Sequence, residues 1–166
     1  MENEDIENKR KAILETIKIT HKNSNFSSLP CPKLIAVSKK QEEYKIKLAI
    51  QSGQKFFGEN RVQEAEQRWQ KRIKKFKDIE LRLIGPLQTN KVEQALNLFD
   101  IIETIDREKL AKKIANNFNN QSKTKYFYIQ INTGSEIQKS GLKPSEVDTF
   151  INFCRVRNWG FYHFVI

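Results

Sequence analysis

The chain has 166 residues, of which 30 are Lys or Arg and 20 are Asp or Glu, so its formal net charge is +10. With six Gly, four Pro and two Cys, it falls outside the collagen-like, low-complexity and disulfide-rich classes. No apolar stretch approaches the roughly 20 residues of a membrane-spanning helix. The acidic start, Met1–Asp5, lacks the apolar core of a signal peptide. We therefore expect a cytoplasmic protein without a membrane-bound segment.

The first predicted element is an amphipathic helix, because Ile6, Ile13, Leu14 and Ile17 share one helical face. Five apolar runs of strand length follow it. Their starts are about 19 to 26 residues apart, which is the length of a compact βα unit. The runs are Leu34–Val37, Lys55–Phe57, Leu81–Ile84, Asp100–Ile102 and Tyr126–Ile131.

Helical stripes of apolar residues lie between the later runs, within 62–76, 92–99, 110–118 and 147–151. Asn90 with Glu93 resembles a capping box, Asp106 is a predicted N-cap, and Pro144 suits a first helical turn. Alternating strands and helices predict a parallel sheet, either an open doubly wound sheet or a (β/α)₈ barrel. The periodicity does not choose between them. A sixth strand is predicted within Phe161–Ile166.

Both architectures bind ligands at the carboxyl ends of their strands, so the residues after each run are the candidate site. Lys39 follows the first run. Burial there would disfavour its ammonium and supply the free amine that an aldehyde needs to form a Schiff base. The alternative is a solvated loop lysine like its neighbour Lys40. Asn60 and Asn90 are candidates to hydrogen-bond a ligand, although helix capping is the better assignment for Asn90. Glu59 is a candidate general base.

Other kinds of site receive little support from the sequence. It contains no P-loop, no GxGxxG motif and no Ser/His/Asp arrangement. Cys31 and Cys154 have no partner at metal-ligand spacing, so they are interpreted as reduced thiols and no metal site is expected. The basic cluster Gln67–Lys77 is the one feature that suggests nucleic acid, but a solvated outer helix explains it better.

Taken together, the strand-end segments resemble the pyridoxal-phosphate homeostasis protein family. The resemblance rests on four motifs in the same order and spacing, covering most of the chain from Leu34 to Leu142. They are Ala36–Lys39 (AVSK), Phe57–Glu64 (FGENRVQE), Ile84–Lys91 (IGPLQTNK) and Ile129–Asn132 with the later Lys139-Ser140-Gly141. The resemblance decides for the barrel and implies a partial TIM-type (β/α) barrel. This barrel would be like the N-terminal domain of alanine racemase, with about five to six βα units.

The resemblance also implies a function. Members of the family bind pyridoxal 5′-phosphate (PLP) through a Schiff base to the AVSK lysine, which is Lys39 here. Asn60 would lie beside the cofactor, and Lys139 would be a secondary lysine near the mouth of the barrel. Family members are regarded as carriers or buffers of the cofactor rather than catalysts, so PLP-dependent apoenzymes are the expected partners. The alternatives are an alanine-racemase-like PLP enzyme and a basic nucleic-acid-binding protein.

Two departures from the family pattern affect these expectations. Arg82 stands where family members usually carry a His, which removes any role for that His. The resemblance fades after about Cys154, and the family's later phosphate-binding segments have no counterpart. We therefore expect an incomplete barrel domain over 1–154 and an atypical tail over 155–166. The chain resembles a C-terminally truncated member, and we expect its cofactor retention to be weakened.

Overall fold

A computed structural model of the protein describes residues 2–134, 136, 138–156 and 164–165. The chain forms two compact units, Met1–Phe57 and Gly58–Ile166, and the boundary between them falls inside a strand. The predicted organisation into a domain over 1–154 and a tail over 155–166 stays a prediction. Residues 157–163 and 166 of that tail lie outside the described residues.

Strands and helices alternate along the chain, as the sequence predicts. The strands are β1 (Ala36–Val37), β2 (Phe56–Glu59), β3 (Glu80–Leu83), β4 (Ile101–Ile105), β5 (Tyr126–Ile129) and β6 (Phe164–Val165). The helices are α1 (Glu2–Lys22), α2 (Glu43–Gln51), α3 (Val62–Lys75), α4 (Val92–Leu98), α5 (Glu108–Asn117) and α6 (Val147–Val156). Short 3₁₀ turns, Thr89–Lys91 and Pro144–Glu146, lead into α4 and α6.

The first unit is held together by Arg10, which projects from α1. Its Nη1 and Nη2 donate to the carbonyl oxygens of Ser52 and Gly53, both at 2.8 Å, and its Nε donates to Gln54 Oε1 at 3.1 Å. Those carbonyls follow the C-terminus of α2, where a positive charge is favourable. Gln54 is 4% exposed and donates onward to the carbonyl oxygens of Leu34 and Phe56, both at 2.7 Å. One guanidinium therefore joins α1 to the segments that flank β1 and β2.

The first unit also differs from the sequence prediction in two ways. Ile13 is 47% exposed, although the apolar pattern predicts it on the inward face of α1. The inward face is centred instead on Arg10, Leu14 and Ile17, which line one cavity, so Ile13 lies at the edge of that face. Helix α2 has no counterpart among the predicted helices, and it buries a single side chain, Ile46. A helix that buries so little leaves only a weak periodic signal in the sequence.

In the second unit, strands β3, β4, β5 and β6 pair in chain order, and every pair is parallel. The registers are Arg82 with Ile101, Ile101 with Tyr126, and Phe127 with Phe164. An open doubly wound sheet reverses its strand order at a switch point, whereas a (β/α) barrel keeps the order of the chain. The order in this unit is the barrel type.

The predicted apolar stripes form the core of the second unit. The buried residues of α3, α4 and α5 lie on the predicted stripes, and the strands contribute further buried side chains to the same core. Phe118, just after α5, makes an edge-to-face contact with Phe127 of β5, with ring centroids 5.5 Å apart. Side chains that are at most 1% exposed include Ala65, Trp69, Leu81, Leu83, Val92, Ala95, Leu96, Phe99, Leu110, Ala111, Ile114 and Phe127. The interpretation of these stripes as core packing is confirmed.

Several predicted boundaries and caps in the second unit are wrong. Asn90 lies inside the 3₁₀ turn, and Lys91 rather than Asn90 stands at the N-cap of α4. Asp106 precedes the N-cap of α5, which is Arg107, and the Asp106 carboxylate forms an ion pair with that arginine. Strand β5 ends at Ile129, and beyond it Ile131 forms an isolated parallel bridge with Leu142. Pro144 does begin a helical turn, as predicted.

A sixth strand is present at Phe164–Val165, within the predicted run, and the rest of that run lies outside the described residues. Among the helices in the described part of the chain, none is long and apolar enough to cross a membrane.

Replacing Arg10 is expected to destabilise the first unit. In Arg10→Ala, three hydrogen bonds from a charged donor are lost and the carbonyls after α2 lose their partner. We expect the free energy of unfolding to fall by about 2 kcal/mol. Lys9→Ala is the matched control, because Lys9 pairs with Asp5 on the surface and is 71% exposed. Chemical denaturation followed by circular dichroism measures both, and equal losses would contradict the role given to Arg10.

The two cysteines are expected to differ in reactivity. Cys154 is 4% exposed, and burial, reinforced by the nearby Glu108 carboxylate, raises the pKa of its thiol to about 11. Cys31 is exposed. Because the thiolate is the reactive form, a thiol reagent at pH 8 should modify Cys31 in the folded chain and Cys154 only after denaturation. Rapid native labelling of Cys154 in a Cys31→Ser variant would show that this part of α6 is not packed as described.

The same burial predicts a pH dependence of stability. The folded state holds the Cys154 proton more tightly than the unfolded state, whose thiol titrates near its ordinary pKa of 9.0. The contribution of this thiol is therefore complete below about pH 9 and is lost as the pH rises through about 11. A Cys154→Ala variant should lack this component of alkaline destabilisation.

Candidate functional site

Lys39 lies in the first unit, in a turn at the carboxyl end of β1. Ser38 before it is 3% exposed, whereas Lys39 itself is exposed, and Lys40 has a positive φ of 56°. The expectation that burial desolvates the Lys39 amine is therefore wrong. The physical reason is that β1 has only two residues and its Val37 is 46% exposed, so no buried apolar strand surrounds the amine.

In the second unit, the loops after β2 and β3 meet at Gly85. A Cβ placed on Gly85 would lie 2.7 Å from the Cα of Asn60 and closer still to its backbone oxygen. Ile84 N donates to Glu59 O at 2.9 Å on the same two segments. Strand β4 contacts the same turn through Thr104, whose Oγ1 donates to Gly85 O at 2.8 Å. The position of Asn60 is thus set by close backbone contact with the Gly85 turn.

Glu59 supports this arrangement from inside the core rather than acting as a general base. Its side chain is fully buried, and its Oε1 accepts hydrogen bonds from Arg68 Nη1 at 2.9 Å and Trp69 Nε1 at 3.0 Å. Both donors belong to α3, so the carboxylate holds that helix against the end of β2. A carboxylate engaged by an arginine and an indole inside the core has no access to a substrate.

Beside Asn60 lies a cleft of about 670 Å³, which we call the Lys91 cleft. Its wall includes Asn60, Arg61, Lys91, Asp106 and Arg107. These residues follow β2, β3 and β4, so the cleft lies beyond the carboxyl ends of these three strands. Arg107 closes it on one side by donating from Nη2 to Leu87 O at 2.8 Å.

Lys139 lines a second cleft of about 280 Å³, which shares Pro86 and Ser140 with the Lys91 cleft. Its side chain is 62% exposed and forms an ion pair with Glu136. Asn132 orders this loop, since its Nδ2 donates to Glu136 O at 2.8 Å. Asn60 and Lys139 therefore line adjoining clefts of one unit, and Lys39 belongs to the other unit.

Three further sequence expectations can be placed. Asn90 is exposed and lines neither cleft. Arg82, at the position of the family's His, donates to Glu80 Oε1 at 2.7 Å and to Glu103 Oε1 at 2.9 Å, so a structural ion-pair network occupies that place. Among the described residues, no group of three His, Cys, Asp or Glu is placed to hold a metal ion.

The basic cluster Gln67–Lys77 is divided by the fold. Arg68 is 18% exposed and forms an ion pair with the buried Glu59 carboxylate. Arg72 donates to the Arg68 carbonyl and lies 5.8 Å from the ring centroid of Trp69. The lysines of this segment are exposed. This is the pattern of an outer helix with a solvated face.

The fold and the strand-end site define an α/β protein of the alanine racemase type. The family model "Alanine racemase, N-terminal domain" matches residues 19–162, which is most of the chain. The chain therefore belongs to the alanine racemase N-terminal domain family, and the fold class expected from the motifs is confirmed.

Within that family, the chain is similar to curated proteins called pyridoxal phosphate homeostasis protein. It is 41% identical over 132 residues to the one from Buchnera aphidicola subsp. Schizaphis graminum, covering 80% of this chain and 57% of the relative. It is 40% identical over 115 residues to that of Pasteurella multocida, covering 69% and 49%. The chain thus spans about half the length of these relatives.

A solved structure agrees with the same resemblance. PipY of Synechococcus elongatus with PLP bound matches with a TM-score of 0.66 and 27% identity, covering 84% of this chain and 63% of that one. The resemblance inferred from the four motifs is confirmed.

Gly85 provides a test of the loop contact that forms the site. In Gly85→Ala, the new methyl group would collide with the Asn60 backbone, which cannot move as a side chain does. We expect a loss of about 3 kcal/mol in the free energy of unfolding. Gly134→Ala is the control, since its Cβ would meet only the flexible Glu136 carboxylate, at 3.3 Å. If the two variants unfold at the same denaturant concentration, the close approach is not as described.

Proposed function

We propose that this chain binds pyridoxal 5′-phosphate and serves as a non-catalytic carrier or buffer of the cofactor. The observation that carries the proposal is the motif set, whose AVSK lysine, Lys39, is the second residue after β1 in a chain of this family. The names of the relatives and the PLP-bound PipY structure support the choice of cofactor.

Lys39 is the proposed attachment point. Its uncharged amine would add to the cofactor aldehyde, and loss of one water molecule would leave a carbon–nitrogen double bond. The exposure of Lys39 makes this attachment reversible, because water that can reach the bond can also hydrolyse it. An exposed, reversible attachment suits a protein that releases its cofactor to other proteins, and PLP-dependent apoenzymes are the proposed recipients.

Asn60 and Lys139 are the other proposed cofactor-binding residues. Asn60 lines the Lys91 cleft and can offer its amide to a polar ring substituent. The Lys139 ammonium is ion-paired with Glu136, so it must lose both a proton and a partner before it can attack an aldehyde. We therefore assign Lys139 a secondary role and Lys39 the principal one.

The acidic groups of the second unit support a carrier rather than a racemase. A racemase needs a free acid or base beside the cofactor. In the part of the chain that the structure describes, Glu59 is buried against Arg68, Asp106 pairs with Arg107, and Glu136 pairs with Lys139. Each of these carboxylates is neutralised by a cation.

Borohydride trapping tests the proposal. The full chain is incubated with PLP, reduced with borohydride to convert the carbon–nitrogen double bond to a stable secondary amine, digested and mapped by mass spectrometry. We expect the adduct on Lys39. Lys39→Arg keeps the charge but has no primary amine, so it should lose that adduct and the accompanying absorbance band.

Lys40→Arg is the matched control, because it makes the same change one residue away and should retain the adduct. An adduct mainly on Lys139 or another lysine would disprove the assignment of Lys39. The absence of any adduct above that of a denatured sample would disprove cofactor binding by this chain.

A further inference from the structure

The Lys91 cleft carries a charge that its surroundings do not neutralise. Arg61 is paired with Glu64 at 3.1 Å, and Arg107 is paired with Asp106. Within the described part of the chain, no carboxylate forms an ion pair with the Lys91 ammonium. Lys91 is also partly buried. A cation without a counter-charge in a cleft wall is stabilised by an anion that enters the cleft.

The groups around Lys91 are held in place by the fold. Lys91 ends a 3₁₀ turn in which its backbone N donates to Gln88 O at 3.0 Å. The Arg107 guanidinium is fixed by Leu87 O and Asp106, and the Asn60 backbone is fixed by its contact with Gly85. Donors that are already positioned lose little conformational entropy when a ligand binds.

The chemistry of the cleft wall selects the kind of anion. It combines one ammonium, guanidinium groups and neutral amides from Asn60, Gln63 and Gln88. Guanidinium and amide donors suit an anion with several oxygens, and the ammonium suits one with a concentrated charge. A phosphoryl group has both properties.

We propose that the Lys91 cleft is a phosphate-binding site, which takes inorganic phosphate or the phosphoryl group of a small phosphate monoester. Lys91 supplies the charge, and Arg107 with Asn60 supplies directed hydrogen bonds. The site requires neither an aldehyde nor Lys39, so it goes beyond the proposed cofactor attachment. All of its residues belong to the second unit.

Isothermal titration of the full chain at constant ionic strength and pH 7.5 tests the proposal. Three probes separate the sources of the anion: inorganic phosphate, pyridoxine 5′-phosphate, which carries phosphate without an aldehyde, and pyridoxine, which carries neither. We expect saturable binding at one site for the first two probes and none for pyridoxine. Equal binding of pyridoxine and its phosphate, or no saturable phosphate binding at all, would overturn the proposal.

Charge-matched variants locate the site. Lys91→Gln should weaken phosphate binding by about tenfold or more, since it removes a charge-assisted hydrogen bond. Lys71→Gln makes the same change on the exposed face of α3 and should leave binding within about twofold of the original. Equal weakening by both variants would show that net charge alone attracts the ion. Lys39→Arg should bind phosphate normally, and loss of binding there would overturn the proposal without touching the Schiff-base assignment.

Protection of Cys154 from a thiol reagent reports whether each variant is folded. If Lys91→Gln has lost that protection, the comparison passes to Arg107→Gln, which removes the guanidinium that the proposal gives directed hydrogen bonds to phosphate and whose side chain is 42% exposed. That variant should weaken phosphate binding by severalfold, and unchanged binding in it would then count against the cleft.

Discussion

The second unit depends on the close approach of two backbones, at Gly85 and Asn60. Parallel strands bring their carboxyl ends to one edge of the sheet, but they do not by themselves bring the following loops together. Here the loops after β2 and β3 touch because residue 85 has no side chain, and Thr104 of β4 ties the same turn to a third strand. The Lys91 cleft exists because these three connections converge, and Asn60 faces it for the same reason.

A second organising feature is the pairing of buried and half-buried charges. Glu59 binds Arg68, Arg82 binds Glu80 and Glu103, and Lys123 binds Asp100 while donating to Leu98 O at 3.0 Å. Breaking such a pair would leave a charge uncompensated in a region of low polarity, so each pair fixes the elements that carry it. Against this background, the Lys91 ammonium stands out as a cation in a cleft wall that no carboxylate of the described residues pairs with.

Much of the fold could be predicted from the sequence, because the stripes on α3, α4 and α5 are long and strongly periodic. The buried positions Ala65, Trp69 and Leu110 are identifiable in this way. Local features are less predictable. Helix α2 buries only Ile46, so its periodic pattern is weak. The caps predicted at Asn90 and Asp106 are wrong, because Asn90 lies inside a 3₁₀ turn and the Asp106 carboxylate pairs with Arg107. Propensities describe a local preference, which tertiary contacts override.

The sequence indicated the candidate site only in outline, and its residues stay predictions. Position after a strand and the four motifs selected Lys39, Asn60 and Lys139, but neither reveals whether a side chain is exposed or paired. The expected desolvation of Lys39 failed for that reason, since it depended on neighbours that a short, exposed strand does not supply. Lys91 and Arg107 also follow strands, yet nothing in the sequence distinguished them from ordinary loop cations. Only the structure shows that both line one cleft.

The net charge of +10 takes on a different meaning once the cations are placed. In the sequence it raised the question of nucleic acid, because the densest basic cluster lies in 67–77. In the fold, Arg68 pairs with Glu59 and Arg72 donates to the backbone of its own helix. Only the exposed lysines of 67–77 remain as solvated cations. The remaining excess of positive charge still acts at long range, because it raises the local concentration of small anions around the whole chain. A phosphorylated aldehyde such as PLP is an anion of this kind, so the surface charge would favour its encounter with the chain. Nucleic-acid binding would depend on contacts between basic side chains and phosphates, and the fold removes Arg68 and Arg72 from the side chains available for such contacts.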